Sequence, residues 1–340
     1  MLSICVQAAR EGIYPSARKD ALARRVAQPP NLHSETTLSI MVKSQSALAN
    51  CLVPLRSSDH GTPLYCIHPS GGDIGIYRKL VRNLCKGYPV FGIQSRLAAG
   101  DDEEFPTMEA MASHYAQLIV EQHPQGPVRL LGFSFGGFVA SRISSLLIQL
   151  GREVTFLGLI DSDLRWMDDD AVTARKTLKL RLKQLSIQFQ EIGIFNRVPR
   201  EQLDEHVDEI VANSLGPNSD LSSTDMIEYL QSRGYLSSQS PPATTLSHFV
   251  SRFLTHCNLI RNSKMGAIDS PMKLWWPSDS DEIASVRRRS WQSHSKHDIV
   301  ERVLEGSHYS IMRMPTVRTL ANQVSMDLGE SPVSKDLARN

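Results

Sequence analysis

The stretch VRLLGFSFGGFVASRISSLLIQL, Val128 to Leu150, decides the fold. Its opening VRLLGF is almost continuously apolar, as expected of a strand buried on both faces rather than one facing water on alternate residues. From Phe138 to Gln149 the apolar residues return at helical spacing. Between strand and helix lies Gly132-Phe133-Ser134-Phe135-Gly136-Gly137, a G-x-S-x-G in which the backbone must bend sharply and small neighbours make the bend possible. Such a turn lifts the serine hydroxyl above the C-terminal edge of a sheet, at a helix N-terminus that favours negative charge.

Outward from this segment the same texture repeats. Short apolar runs occur at LYCIH (64–68), PVFGI (89–93), VTFLGLI (154–160), MKLWW (272–276) and DIVERVL (298–304), with amphipathic stretches such as Met108 to Gln122 between them. Strands of this kind alternating with helices predict a mostly parallel sheet covered on both faces, a doubly wound α/β fold. One interval departs from the pattern. Between Ile160 and Met272 the chain reads as helices, with stripes at Leu178, Leu182, Leu185, Phe189 and Ile192, at Leu203, Val207, Ile210 and Val211, and at Phe249, Phe253, Cys257 and Ile260. A helical insertion between two strands of one sheet is expected to be a lid, about residues 165–268, in preference to an independent helical domain.

The chain has 340 residues, 37 Lys plus Arg against 36 Asp plus Glu, and 41% hydrophobic content, which excludes disorder throughout and gives ample material for a core. A net charge of +1 leaves no global electrostatic footprint for nucleic acid or an anionic membrane. No run approaches the length of a transmembrane helix, and the first residues, MLSICVQAAREG, are charged too soon for a signal peptide. Cys5, Cys51, Cys66, Cys85 and Cys257 show neither metal-ligand spacing nor an even disulfide count. A cytoplasmic protein without a metal or diffusible cofactor is expected.

A serine hydroxyl is a poor nucleophile near neutral pH and needs a base, itself oriented by an acid, in the order Ser, Asp, His for a fold of this kind. His308 stands out as the base: it lies in Glu305-Gly306-Ser307-His308-Tyr309, a small-residue loop after the last apolar run. Other histidines, such as His206 and His256, fall inside helical patterns, which points to structural or surface roles. For the acid, Asp161 and Asp163 follow one strand while Asp279 and Asp281 follow another, and either strand end can reach the histidine. Two backbone N–H donors are required for the oxyanion, one from the residue after the nucleophile, Phe135, and one from a loop after an early strand. That loop is His68-Pro69-Ser70-Gly71-Gly72, where Pro69 has no N–H to give and Ser70 is positioned to donate.

The stretches YCIHPSGG, FGIQSR, MEAMASHYAQLI, GPVRLLGFSFGG, the strand ending in IDSD, and GSHYSI, in this order, resemble the type I thioesterase domains that end nonribosomal peptide and polyketide synthases. The resemblance covers about residues 59–326 and implies the α/β-hydrolase fold with a helical lid, followed by a tail at 327–340. It also implies that the triad acid follows the strand after the nucleophile helix, which is Asp161. Asp279 occupies the position more usual in α/β-hydrolases at large and is the alternative.

Residues 2–28 separately resemble the back half of a peptidyl carrier protein, giving an expected carrier remnant at 1–30 and, in the Ser-, Thr- and Pro-rich stretch after Pro29-Pro30, a linker at 31–58. In such carriers the phosphopantetheine serine would lie before the position of Met1. The expectation is therefore a serine thioesterase, with Ser134, Asp161 and His308 as triad, that takes acyl groups from the phosphopantetheine of an acyl or peptidyl carrier protein acting in trans. A stand-alone editing thioesterase or small-ester hydrolase, and a non-catalytic module that keeps only the fold, are the alternatives.

Overall fold

The computed structural model describes residues 51–99, 103–164, 242–279 and 291–329, together with 186, 196, 231–232 and 234–238. Its centre is a seven-stranded sheet: β1 (Leu52–Arg56), β2 (Leu64–Ile67), β3 (Val90–Ile93), β4 (Val128–Phe133), β5 (Val154–Ile160), β6 (Met272–Pro277) and β7 (Val300–Leu304). The order across the sheet is β1-β3-β2-β4-β5-β6-β7. Only β1 runs antiparallel to its neighbour, and the remaining pairs are parallel. Strand order reverses between β2 and β4, which puts a crevice at the C-terminal ends of those strands.

Among the described residues five α-helices accompany the strands: α1 (Tyr77–Asn83), α2 (Met108–Gln122), α3 (Phe135–Gln149), α4 (Ala243–Arg261) and α5 (Thr316–Asp327). Period-two alternation in the strands divides the core between two faces. Tyr65, Ile67, Leu130, Leu157, Leu274 and Trp276 pack with α2, α3 and α4, whereas Leu64, Cys66, Leu131, Phe133, Phe156 and Trp275 pack with α1 and α5. Burial on both faces is why these strands are apolar at nearly every position; each large side chain removed from water contributes about 1.5–3 kcal/mol. This is the α/β-hydrolase architecture.

Leu52–Arg56, expected to be the end of a linker, is instead the edge strand β1, paired with β3. Pro54 lies within it, which an edge strand tolerates because its outer amides need no partner. Helix α3 begins at Phe135, three positions before its apolar periodicity does. The third stripe of the expected lid, Phe249 to Ile260, is the inner face of α4, while the first two stripes and the carrier-like segment lie outside the described residues.

Candidate active site

The chain leaves β4 at Ser134 with φ 56° and ψ −122°, backbone angles sparsely populated by any residue with a side chain. The surrounding glycines make the turn possible by close approach. A Cβ on Gly132 would sit 2.2 Å from the Gly136 carbonyl oxygen, and one on Gly136 would sit 2.3 Å from that of Ile67. Hydrogen bonds fix the bend: the Ser134 N–H donates to the Ile160 carbonyl at 2.8 Å, and the Ser162 hydroxyl donates to the Ser134 carbonyl at 2.8 Å. Behind the turn, the buried Tyr77 hydroxyl accepts from the Phe133 N–H and donates to the Ile67 carbonyl, both at 2.7 Å. Burial, reinforced by the neighbouring Cys66, pushes that phenol well above its ordinary pKa, so it remains a donor. The Ser134 side chain makes no capping bond to the helix below it.

Asp161, at the end of β5, is also left-handed, with φ 42°, and its N–H donates to the Trp275 carbonyl at 2.8 Å. Its carboxylate is buried and its Oδ2 lies 2.5 Å from Nδ1 of His308. His308 is buried in turn, stacked on Phe133 with ring centres 4.7 Å apart. Ser134, Asp161 and His308 line one pocket, together with Asp163, Ser70 and Phe135. Asp279 is exposed, and its N–H donates to the Gly306 carbonyl at 3.0 Å, bracing the backbone of the loop that carries His308. Asp281 lies outside the described residues.

A second buried polar cluster adjoins this pocket. The Gly71 N–H donates to Nδ1 of His256 at 3.2 Å, and Nε2 of His256 is 3.2 Å from Oε2 of Glu104. His68 bridges the Pro69 carbonyl, 2.9 Å from Nδ1, and the Tyr115 hydroxyl, 3.0 Å from Nε2. Burial, then the nearby His256, push the His68 imidazole down to about 3. The helical context of His256 points to a structural or surface role; it is buried, and it contacts the loop expected to hold the oxyanion. The available signal was its place three residues after Phe253 and seven after Phe249, on the apolar side of the stripe.

A family model described as the thioesterase domain matches residues 62–325. The chain belongs to the thioesterase-domain family. This thioesterase domain is 42% identical over 123 residues to a dimodular nonribosomal peptide synthase of Bacillus subtilis (strain 168), an alignment covering 36% of the chain and 5% of that much longer protein. Among solved structures it is similar to a four-domain nonribosomal peptide synthetase bound to AMP and glycine, at 24% identity and TM-score 0.61 over 81% of this chain and 20% of that one. It is also similar to the NocB thioesterase domain in covalent complex with a fluorophosphonate nocardicin G analogue, at 19% identity and TM-score 0.55 over 82% and 99% of the two chains. These structural likenesses concern the fold, and family membership supports a hydrolase acting on thioesters. Among the described residues of the thioesterase domain, no helix is long and apolar enough to cross a membrane, and no group of three or more His, Cys, Asp and Glu is placed to hold a metal.

Proposed function

We propose that this thioesterase domain releases an acyl, peptidyl or polyketidyl chain from a phosphopantetheine thioester in secondary-metabolite biosynthesis, through an acyl-enzyme on Ser134. The observation that carries the reading is the buried 2.5 Å hydrogen bond between Asp161 and His308 in the pocket that Ser134 lines. With Nδ1–H donating to Asp161, Nε2 of His308 is the ring atom that takes the Ser134 hydroxyl proton as Oγ attacks the thioester carbonyl. The amides of Phe135 and Ser70 then receive the oxyanion, and the pantetheine thiolate leaves, regaining a proton from His308. In the second half-reaction His308 removes a proton from the incoming nucleophile. Water gives the free acid; an amine or hydroxyl of the acyl chain itself gives a ring when the lid excludes water. Hydrolysis is the default outcome.

The acyl donor is an acyl or peptidyl carrier protein, or its synthase, acting in trans, and the chemistry asks nothing of a metal or diffusible cofactor. Incubation with a panel of acyl- and peptidyl-pantetheine thioesters, with mass analysis of the products, tests the proposal. Free acid or ring products that depend on Ser134 support it, whereas unchanged thioesters across the panel, including carrier-bound ones, refute it.

A further inference from the structure

His256 touches both halves of the site at which the oxyanion is proposed to form. Its ring stacks on Phe135, with centres 4.6 Å apart and planes 21° from parallel, and Phe135 supplies the first amide. Its Nδ1 lies 3.2 Å from the amide nitrogen of Gly71, the residue after Ser70, which supplies the second. A backbone N–H only donates, so Nδ1 is the acceptor and the ring hydrogen sits on Nε2, directed at Glu104 Oε2. Burial alone would raise the Glu104 carboxyl, but the hydrogen bonds it accepts from His256 and the Phe105 N–H, with the neighbouring imidazoles, together hold it below the ordinary range. The second Glu104 oxygen accepts from the Phe105 N–H at 3.2 Å. Glu104 is thus an anchored acceptor that orients the imidazole.

Both backbone groups of Gly71 are engaged by α4. One turn before His256, Arg252 Nε donates to the Gly71 carbonyl at 2.9 Å. Gly71 has φ 94°, a conformation that residues with a Cβ avoid, and a Cβ there would lie 2.7 Å from the Phe249 ring on the same helix. The Pro69–Gly71 turn is therefore shaped by α4 from the far side of the chain, 185 residues away in sequence. Its Gly71 amide is committed to His256, which fits the assignment of Ser70, a residue lining the pocket, as the second oxyanion donor.

We propose that His256 is a positioning residue for acyl transfer: by accepting the Gly71 amide hydrogen while stacking on Phe135, it sets the spacing of the Ser70 and Phe135 amides and makes α4 part of the oxyanion device. The inference rests on the Ser134 acyl-enzyme reading. It follows physically because oxyanion donors act only when held in advance at the place where charge develops, and a displacement of about 1 Å can cost a hundredfold.

The test uses the full chain and two probes, an octanoyl-pantetheine thioester for turnover and a fluorophosphonate for covalent labelling of Ser134. His256→Phe keeps the stacked ring and removes the acceptor; His256→Asn places an amide oxygen near the position of Nδ1 and can still accept from Gly71. Expected are a fall in kcat and labelling rate of about ten- to a hundredfold in His256→Phe with KM nearly unchanged, and recovery of most of that loss in His256→Asn. Hydrogen exchange at the Gly71 amide should be slow in the wild type and His256→Asn and fast in His256→Phe. Where His256→Phe does not fold, the smaller His256→Ala carries the same expectation. Wild-type turnover in folded variants lacking the acceptor, or equal losses in His256→Asn and His256→Phe, would overturn the inference. A wild-type protein that neither turns over the thioester nor is labelled at Ser134 would instead sink the thioesterase reading, and the positioning role with it.

Discussion

Asp161 and His308, 147 positions apart in sequence, share a 2.5 Å hydrogen bond and are each no more than 2% exposed. A carboxylate held against Nδ1 in that setting fixes the imidazole's tautomer and ring plane, leaving Nε2 for the serine. Asp161→Asn should accordingly lower kcat by about 10³- to 10⁴-fold with little change in fold, by favouring the wrong tautomer. Asp279→Asn should remain within about twofold, since exposed side chains away from such networks contribute little. Steady-state kinetics on a soluble thioester, with circular dichroism as the folding control, make the comparison. A loss confined to Asp279→Asn would reverse the assignment.

The turn at Ser134 depends on the absence of side chains behind it. Gly136→Ala would push a methyl group to within 2.3 Å of the Ile67 carbonyl, a backbone atom in the middle of the sheet that cannot swing aside. The expected cost is about 1–3 kcal/mol of stability together with a displaced Phe135 amide. Thermal denaturation and fluorophosphonate labelling should therefore both report a defect. By contrast, Gly126→Ala, where the nearest atom is 3.5 Å away but φ is 80°, should lower stability without slowing labelling of the folded fraction.

Acid should weaken the fold through His68. Its imidazole is pushed down to about 3 in the folded chain by burial and then by His256, while an unfolded imidazole titrates near 6.5. Between those values the unfolded chain binds a proton that the folded chain refuses. The stabilising contribution is thus complete above about pH 6.5 and is lost as pH falls towards 3. Melting temperatures measured from pH 7.5 to 4 should fall less steeply in His68→Gln than in the wild type. Parallel curves would show that His68 is not the group responsible.

Features that depend on local sequence were legible in it. The strand, turn and helix around Ser134 announce themselves because apolar runs, glycines and helical periodicity fall next to one another. The boundaries of α2, Met108–Gln122, match the amphipathic stretch that predicted it, with the Thr107 hydroxyl accepting the Ala110 amide as its cap. Pro54 concealed β1, because a proline in a short run argues against a central strand and says nothing of an edge. Residue types alone left Asp161 and Asp279 equivalent, both following a strand. What separates them spatially is tertiary: burial, a left-handed backbone and a bond to the Trp275 carbonyl turn Asp161 towards His308, while Asp279 faces solvent. His256 was hidden for a similar reason, since its significance lies in a glycine amide reached only when α4 folds back over the first βα loop.

The central claim is a covalent acyl-enzyme on Ser134, and trapping it is the most direct test. The full chain mixed with an acyl-pantetheine thioester and quenched in acid within one turnover should gain the mass of the acyl group, with the adduct mapped by peptide sequencing to the segment containing Ser134. Ser134→Ala should gain none while retaining the wild-type circular dichroism spectrum. An adduct that persists in Ser134→Ala, or thioester turnover in that variant at the wild-type rate, would contradict the account.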